Sequence, residues 1–170
     1  MQPKAEAEIA FVLKSDLIAP DVTPTEVARA VDYVAPAIEI VGSRVKNWDI
    51  RISDTIADNA SCGCYVVGGP IRPLTDVDLA GVGMVLARNG APAAFGGGAA
   101  CLGNPLTAVL WLARTAAALD TPLRAGDVVL SGALGPMVAM APGDVFEARI
   151  SGLGTVKVSI GKENKTEGNP

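Results

Sequence analysis

The stretch Gln2–Leu13, QPKAEAEIAFVL, decides how the chain is read. From Ala5 onward it alternates. Ala5, Ala7, Ile9, Phe11 and Leu13 share one side of an extended chain; Glu6, Glu8, Ala10 and Val12 share the other. The first side is apolar throughout, and the second becomes apolar after the two glutamates. This pattern predicts a strand over residues 5–13 that is covered on both sides and carries two carboxylates inward. Residues i and i+2 of a strand lie about 6–7 Å apart on the same side, so two ionised glutamates there repel each other, more strongly when buried. A divalent cation would relieve both burdens. A solvated strand face near a chain terminus would relieve them as well.

Composition narrows the setting. The chain has 170 residues, enough for one domain with its own core. Hydrophobic residues make up 49% but aromatics only 4%, so the core must be built from Ala, Val, Leu and Ile. The 19 Gly and 12 Pro imply many turns and favour a β-rich fold over a helix bundle. A net charge of −4 leaves no basic footprint for nucleic acid and no attraction to an anionic membrane. No apolar run reaches the roughly 18 residues of a spanning helix. Lys4, Glu6 and Glu8 interrupt any apolar N-terminal region, so no signal peptide is expected. The odd count of three cysteines, Cys62, Cys64 and Cys101, reads as reduced thiols in a cytoplasm. The sequence contains no histidine. Serine–histidine and cysteine–histidine nucleophiles and the usual zinc sites are thereby excluded. A metal would be held by carboxylates, which suit Mg²⁺ or Mn²⁺.

Further along, Thr23-Pro24-Thr25-Glu26 is a capping box with proline at the first helical position, predicting a helix to about Tyr33. Pro36 precedes an apolar strand, Ala37–Val41, whose one carboxylate, Glu39, becomes a third ligand if the two strands are neighbours. Residues 47–53 alternate like a strand. The polar stretch after them offers Asp54, Asp58, Asn59 and Ser61 as hydrogen-bonding and proton-transfer groups beside a metal, or as an ordinary Asx-rich turn. Cys62-Gly63-Cys64 lacks the redox C-x-x-C spacing and reads as buried or half-buried thiols. A strand over about Leu79–Arg88 runs into the hairpin signal Asn89-Gly90. Gly96-Gly97-Gly98 is a flexible loop; no Gly-Lys-Ser/Thr follows to make it a phosphate loop. Asn104-Pro105 caps a helix to about residue 119. Strands are expected at 128–130, 137–140, 145–150 and 155–160. One domain thus spans 1–160, and 161–170 is a polar, disordered tail.

In this order, "QPKAEAEIAFVL", "PAIEIVGSRVKNWDIRISDTIADNASCGCYVVGG", "CLGNPLTAVLWLAR" and "LSGALGPMV" with a later "PGD" resemble the 2-keto-4-pentenoate hydratases of aromatic-ring degradation, within the fumarylacetoacetate hydrolase superfamily. The resemblance covers about residues 2–160. It implies an α+β, β-dominated fold: a rolled, barrel-like β core of that superfamily's C-terminal-domain type with a few flanking helices. It implies Glu6, Glu8 and Glu39 as ligands of Mg²⁺ or Mn²⁺. Asp58, Asn59 and Ser61 would act near the metal, and Ser131 and Gly132 on the substrate side. The implied reaction is hydration of 2-hydroxypenta-2,4-dienoate, a small 2-hydroxydienoic acid, to 4-hydroxy-2-oxopentanoate in a cytoplasmic homo-oligomer. The sister enzyme is 4-oxalocrotonate decarboxylase; "WDIRISDTIADNASCG" and the Gly42 of "IVGSR" resemble the hydratase branch more. Family members carry a substantial segment before the Glu-x-Glu strand, with a lysine implicated at the active site. This chain is expected to lack that segment, which leaves a catalytically silent metal-binding fragment as a further reading.

Overall fold

Alternation in the opening stretch sets up the main sheet. β1 (Gln2–Leu13) pairs antiparallel along its length with β2 (Val31–Ser43). β3 (Cys64–Val67) adds to the far side of β2. β6 (Val128–Leu130) and β7 (Val138–Ala139) add to the other side of β1. A second antiparallel sheet runs in the order β5 (Ala91–Gly97), β4 (Gly83–Arg88), β8 (Val145–Ile150), β9 (Gly154–Ser159). The helices are α1 (Pro24–Ala30), α2 (Ile52–Ala57) and α3 (Pro105–Ala118). This computed structural model describes residues 2–162. Of the tail expected over 161–170, residues 163–170 lie outside the described residues.

The two sheets share one core. Ala5, Ala7, Ile9, Phe11 and Leu13 are all buried, as the alternation requires, and they join Val34 and Ile38 of β2, Leu86 of β4 and Phe146 of β8. Backbone hydrogen bonds lace the sheets together in two places. Gly69 and Thr155 exchange N–H to carbonyl bonds of 3.3 and 3.2 Å. Leu134 donates its N–H to Ala7 (3.0 Å) and accepts one from Gly97 (2.9 Å). The second contact explains a glycine: a Cβ on Gly96 would lie 1.9 Å from the Leu134 carbonyl oxygen. The fold is β-dominated α+β, as expected.

Several boundaries moved. β2 begins at Val31, so α1 stops at Ala30 instead of Tyr33. Pairing with β1 outweighs continuation of a seven-residue helix. Pro36 lies inside β2, opposite Ile9. Its carbonyl accepts the Gly68 N–H at 2.8 Å, and the return bond of that pair is the one its missing N–H forgoes. The expected strand over 47–53 is instead a 3-10 turn, Lys46–Trp48, followed by α2. Asn47 turns the chain with φ 59°, and Asp54 accepts the Arg51 N–H at 2.8 Å to start the helix. Ile52 and Ile56 are both exposed there, so burial never enforced a period of two. The strand expected from Leu79 begins only at Gly83, after the turn in which Asp78 accepts the Gly81 N–H.

The capping box is formed as predicted: Thr23 Oγ1 accepts the Glu26 N–H, and Glu26 accepts the Thr23 N–H at 2.7 Å. Thr23→Ala should cost about 1 kcal/mol, read as a lower midpoint with unchanged slope in urea unfolding. An unchanged midpoint would mean that packing of Val27 alone holds α1. Asn104 caps α3 through its Oδ1, which accepts the Leu106 N–H at 2.9 Å, and Val109 and Ala113 turn into the core. Among the described residues no helix is long and apolar enough to cross a membrane.

Candidate metal centre

Register places three glutamates together. Glu6 lies directly opposite Glu39 in the β1–β2 ladder, and Glu8 follows two residues on along the same side of β1. One carboxylate oxygen from each falls within 4.8 Å of the others. Glu8 is only 1% exposed, while Glu6 and Glu39 are half-buried. The neighbouring residues of the same side, Ala10, Ala35 and Ala37, are fully buried. The site therefore has a dry floor of methyl groups.

The electrostatics are unfavourable for three charges. Burial pushes the Glu8 carboxyl up to about 8; the Glu39 charge adds to this, the Gly132 amide opposes it, and Glu6 raises it further. Glu6 is raised by burial and then by Glu39, against the pull of Lys4. Glu39 is raised by burial, while its hydrogen bond with Glu8 acts the other way. Among the described residues no lysine or arginine forms an ion pair with any of the three. Lys4 rests its ammonium 4.1 Å from the centre of the Trp48 ring. Three hard oxygen donors around one point, none of them ion-paired to a lysine or arginine among the described residues, fit a Mg²⁺ or Mn²⁺ ion.

Of the other expected site residues, Gly132 and Ser131 are brought to this cluster. The Gly132 N–H donates to Glu8 Oε2 at 2.8 Å, with Gly132 at φ +90°. Ser131 is buried; its N–H donates to the Ile9 carbonyl (2.9 Å), its Oγ accepts the Ile9 N–H (3.0 Å), and its hydroxyl donates to the Gly132 carbonyl (2.8 Å). Asp58 and Ser61 form a separate network. Asp58 pairs with Arg44 Nε at 3.3 Å and accepts the Arg44 N–H and the Ser61 hydroxyl, each at 3.1 Å. Asn59 is adjacent, in left-handed backbone at φ 50°. Arg44 lies five residues past Glu39 in the sequence, roughly 15 Å along an extended chain. Among the described residues no hydrogen bond joins this network to the glutamates. A cavity of about 440 Å³ beside it is lined by Pro3, Ile40, Gly42, Arg44, Cys62 and Cys64. Pro3, Ile40 and Gly42 sit on the Ala5 side of the sheet, while Val41, which also lines the cavity, sits on the Glu39 side; none of the three glutamates lines it.

Two neighbours escaped the sequence. Tyr65 stands opposite Glu39 on β3, a placement only the register reveals. Cys101 is buried, and its thiol donates to the Ser131 carbonyl at 2.7 Å. Burial and the Glu8 charge both raise that thiol. Cys62 and Cys64, expected to be at least half-buried, are exposed, because the turn after α2 and the edge strand β3 carry them.

Residues 1–160 match the family model described as fumarylacetoacetate hydrolase, C-terminal. The chain is 59% identical over 162 residues to the TodF product hydratase of Pseudomonas putida strain F1, covering 95% of this chain and 60% of that protein. It is also 59% identical over 160 residues to the 2-keto-4-pentenoate hydratase of Paraburkholderia xenovorans strain LB400, covering 94% and 59%. Among solved structures, 4-oxalocrotonate decarboxylase from Pseudomonas putida G7, complexed with magnesium and adipate, superposes with a TM-score of 0.89 at 38% identity, covering 94% of this chain and 61% of that one. The chain therefore spans about three-fifths of the length of the relatives it matches.

Proposed function

Because the chain belongs to the fumarylacetoacetate hydrolase family, we propose that Glu6, Glu8 and Glu39 hold Mg²⁺ or Mn²⁺ and that the protein works in the hydration of 2-hydroxypenta-2,4-dienoate to 4-hydroxy-2-oxopentanoate. The observation that carries this reading is the convergence of three carboxylate oxygens within 4.8 Å, one of them on a glutamate that is 1% exposed. The 59% identity to proteins named as hydratases favours that chemistry over the decarboxylase, which is 38% identical.

When bound, such a cation supplies Lewis acidity toward the carboxylate and 2-oxygen of a 2-oxo acid. The chain supplies the rest. The three glutamates would hold such a cation on one side of the strand pair β1–β2. The methyl floor of Ala10, Ala35 and Ala37 excludes water beneath it, which strengthens each electrostatic contact. The Gly132 amide holds Glu8 in place, so orientation is set before substrate arrives. Asp58, Asn59 and Ser61, expected near the metal, are given no proton-transfer step in this reading: Asp58 accepts the Ser61 hydroxyl and pairs with Arg44, and no hydrogen bond among the described residues joins them to the glutamates. In this reading the substrate is a small 2-hydroxydienoic acid, the partner is a second copy of the chain, and the setting is the cytoplasm.

The test is an assay with 2-hydroxypenta-2,4-dienoate, following loss of dienol absorbance and formation of product with Mg²⁺, with Mn²⁺ and with chelator. Hydration that requires the metal is expected. Carbon dioxide release from a 2-oxo-dioate, without hydration, would select the decarboxylase. Metal binding with neither reaction would select the silent fragment.

A further inference from the structure

We infer that Ser131 and Cys101 are positioning residues for the Glu8 carboxylate, and that Ser131 does not bind substrate. The inference deepens the metal reading and rests on it.

Ser131 has no free hydroxyl donor for a ligand. It is 3% exposed, and its single O–H is committed to the Gly132 carbonyl while its oxygen accepts the Ile9 N–H. The Ile9 N–H is bound by a side chain because β6 ends at Leu130, one residue earlier. The hydroxyl thus continues the β1–β6 ladder past the point where the backbone leaves it. This frees the chain at Gly132 to turn with φ +90° and to aim its N–H at Glu8 Oε2.

Cys101 fixes the same turn from the other side. Its thiol donates to the Ser131 carbonyl, and its sulfur lies 3.6 Å from where a Gly132 Cβ would stand. The raised thiol keeps its proton and therefore remains a donor. A continuous path runs from Cys101 through Ser131 and Gly132 to Glu8. On β1, Ile9 and Ala7 hold the turn at both ends through Ser131 and Leu134. Glu8 has no other hydrogen bond to the backbone among the described residues, so this turn is the backbone anchor of its carboxylate, beside the hydrogen bond with the Glu39 side chain. Groups that orient a ligand typically contribute 10–100-fold to metal affinity.

The experiment is Mn²⁺ titration by calorimetry on the full chain, with the electron paramagnetic resonance line of bound Mn²⁺ as a second readout. Wild type, Ser131→Ala, Cys101→Ala and Cys101→Ser are compared well below their melting temperatures. Both alanine variants should bind Mn²⁺ about 10-fold or more weakly, with a broadened line from a less ordered ligand set. Cys101→Ser, which keeps a donor, should recover most of the affinity. Wild-type affinity in both alanine variants would overturn the positioning role, as would Cys101→Ser binding no better than Cys101→Ala. If wild type binds no Mn²⁺, the metal reading itself falls, and this inference with it.

Discussion

Glu8→Gln should abolish metal-dependent turnover while making the metal-free protein more stable. The two effects have opposite sign because one side chain is asked to do two incompatible things. As a ligand in the proposed site, Glu8 would contribute a charged oxygen from the most buried position of the three. Its replacement by an amide removes that charge, and turnover should drop by at least about 10²-fold, since even residues that only orient ligands cost 10–100-fold. As a folded-state group, Glu8 is a buried carboxyl beside two others, with its ionisation displaced to about 8. Glutamine matches its volume, accepts the Gly132 N–H through Oε1 and donates through Nε2 to Glu39. The repulsion with Glu6 and Glu39 disappears. Near neutral pH the metal-free protein must hold Glu8 protonated against its ordinary 4.5, and the amide removes that cost, a gain on the order of 1–3 kcal/mol. Urea unfolding in chelator measures the second effect and the hydration assay the first. Glu8→Ala separates them further: it removes the charge too, but leaves the Gly132 amide unpaired and a void, so its gain should be smaller or negative. A metal-free Glu8→Gln protein less stable than wild type would contradict the description of the site as a cage of repelling charges.

Much of this site was legible because strand periodicity is a short-range signal. Glu6 and Glu8 could be put on one side of β1 from spacing alone, and the burial of Ala5 through Leu13 follows the same alternation. Glu39 could be identified as an isolated carboxylate in an apolar strand. That Glu39 faces Glu6 is a statement about register, and register is set by long-range pairing that a single sequence does not print. Tyr65 was missed for that reason. Cys101 was missed because its neighbour Ser131 is thirty residues away and meets it only when the loop before α3 packs on the end of β6. The error at 47–53 has a different origin. WDIRIS satisfies an alternating pattern, yet neither face of α2 is buried, so hydrophobic pattern had nothing to act on and local capping by Asp54 decided. Asp58 and Ser61 show the limit of composition: a polar cluster was recognised, but its network with Arg44 could not be read from residue types.

The pH dependence of stability should run in opposite directions with and without metal. Glu8 titrates at about 8 in the folded protein against an ordinary 4.5, and Glu6 and Glu39 are displaced in the same direction. Between those limits the folded protein binds more protons than the unfolded chain. Stability must therefore fall as pH rises from 4.5 toward about 8. Below 4.5 these groups are protonated in both states and the penalty is absent. Asp144, held down by Asn89 and by the Arg88 guanidinium, behaves oppositely: its contribution is present above 3.8 and lost on acidification below its lowered value. The metal-free protein should thus be most stable near pH 4–5 and lose several degrees of melting temperature by about pH 8, since roughly 1 kcal/mol shifts a domain of this size by about 2–4 °C. A divalent cation takes only the deprotonated carboxylates, so it competes with the very protons that stabilise the metal-free state. In excess Mg²⁺ or Mn²⁺ the melting temperature should rise with pH over the same window, and calorimetry near neutral pH should show proton release in buffers of different ionisation enthalpy. Melting curves from about pH 4 to 9 in chelator and in metal measure both slopes. Parallel curves would mean that the cation binds elsewhere. Crossing curves that become flat in Glu8→Gln would tie the effect to this one carboxylate.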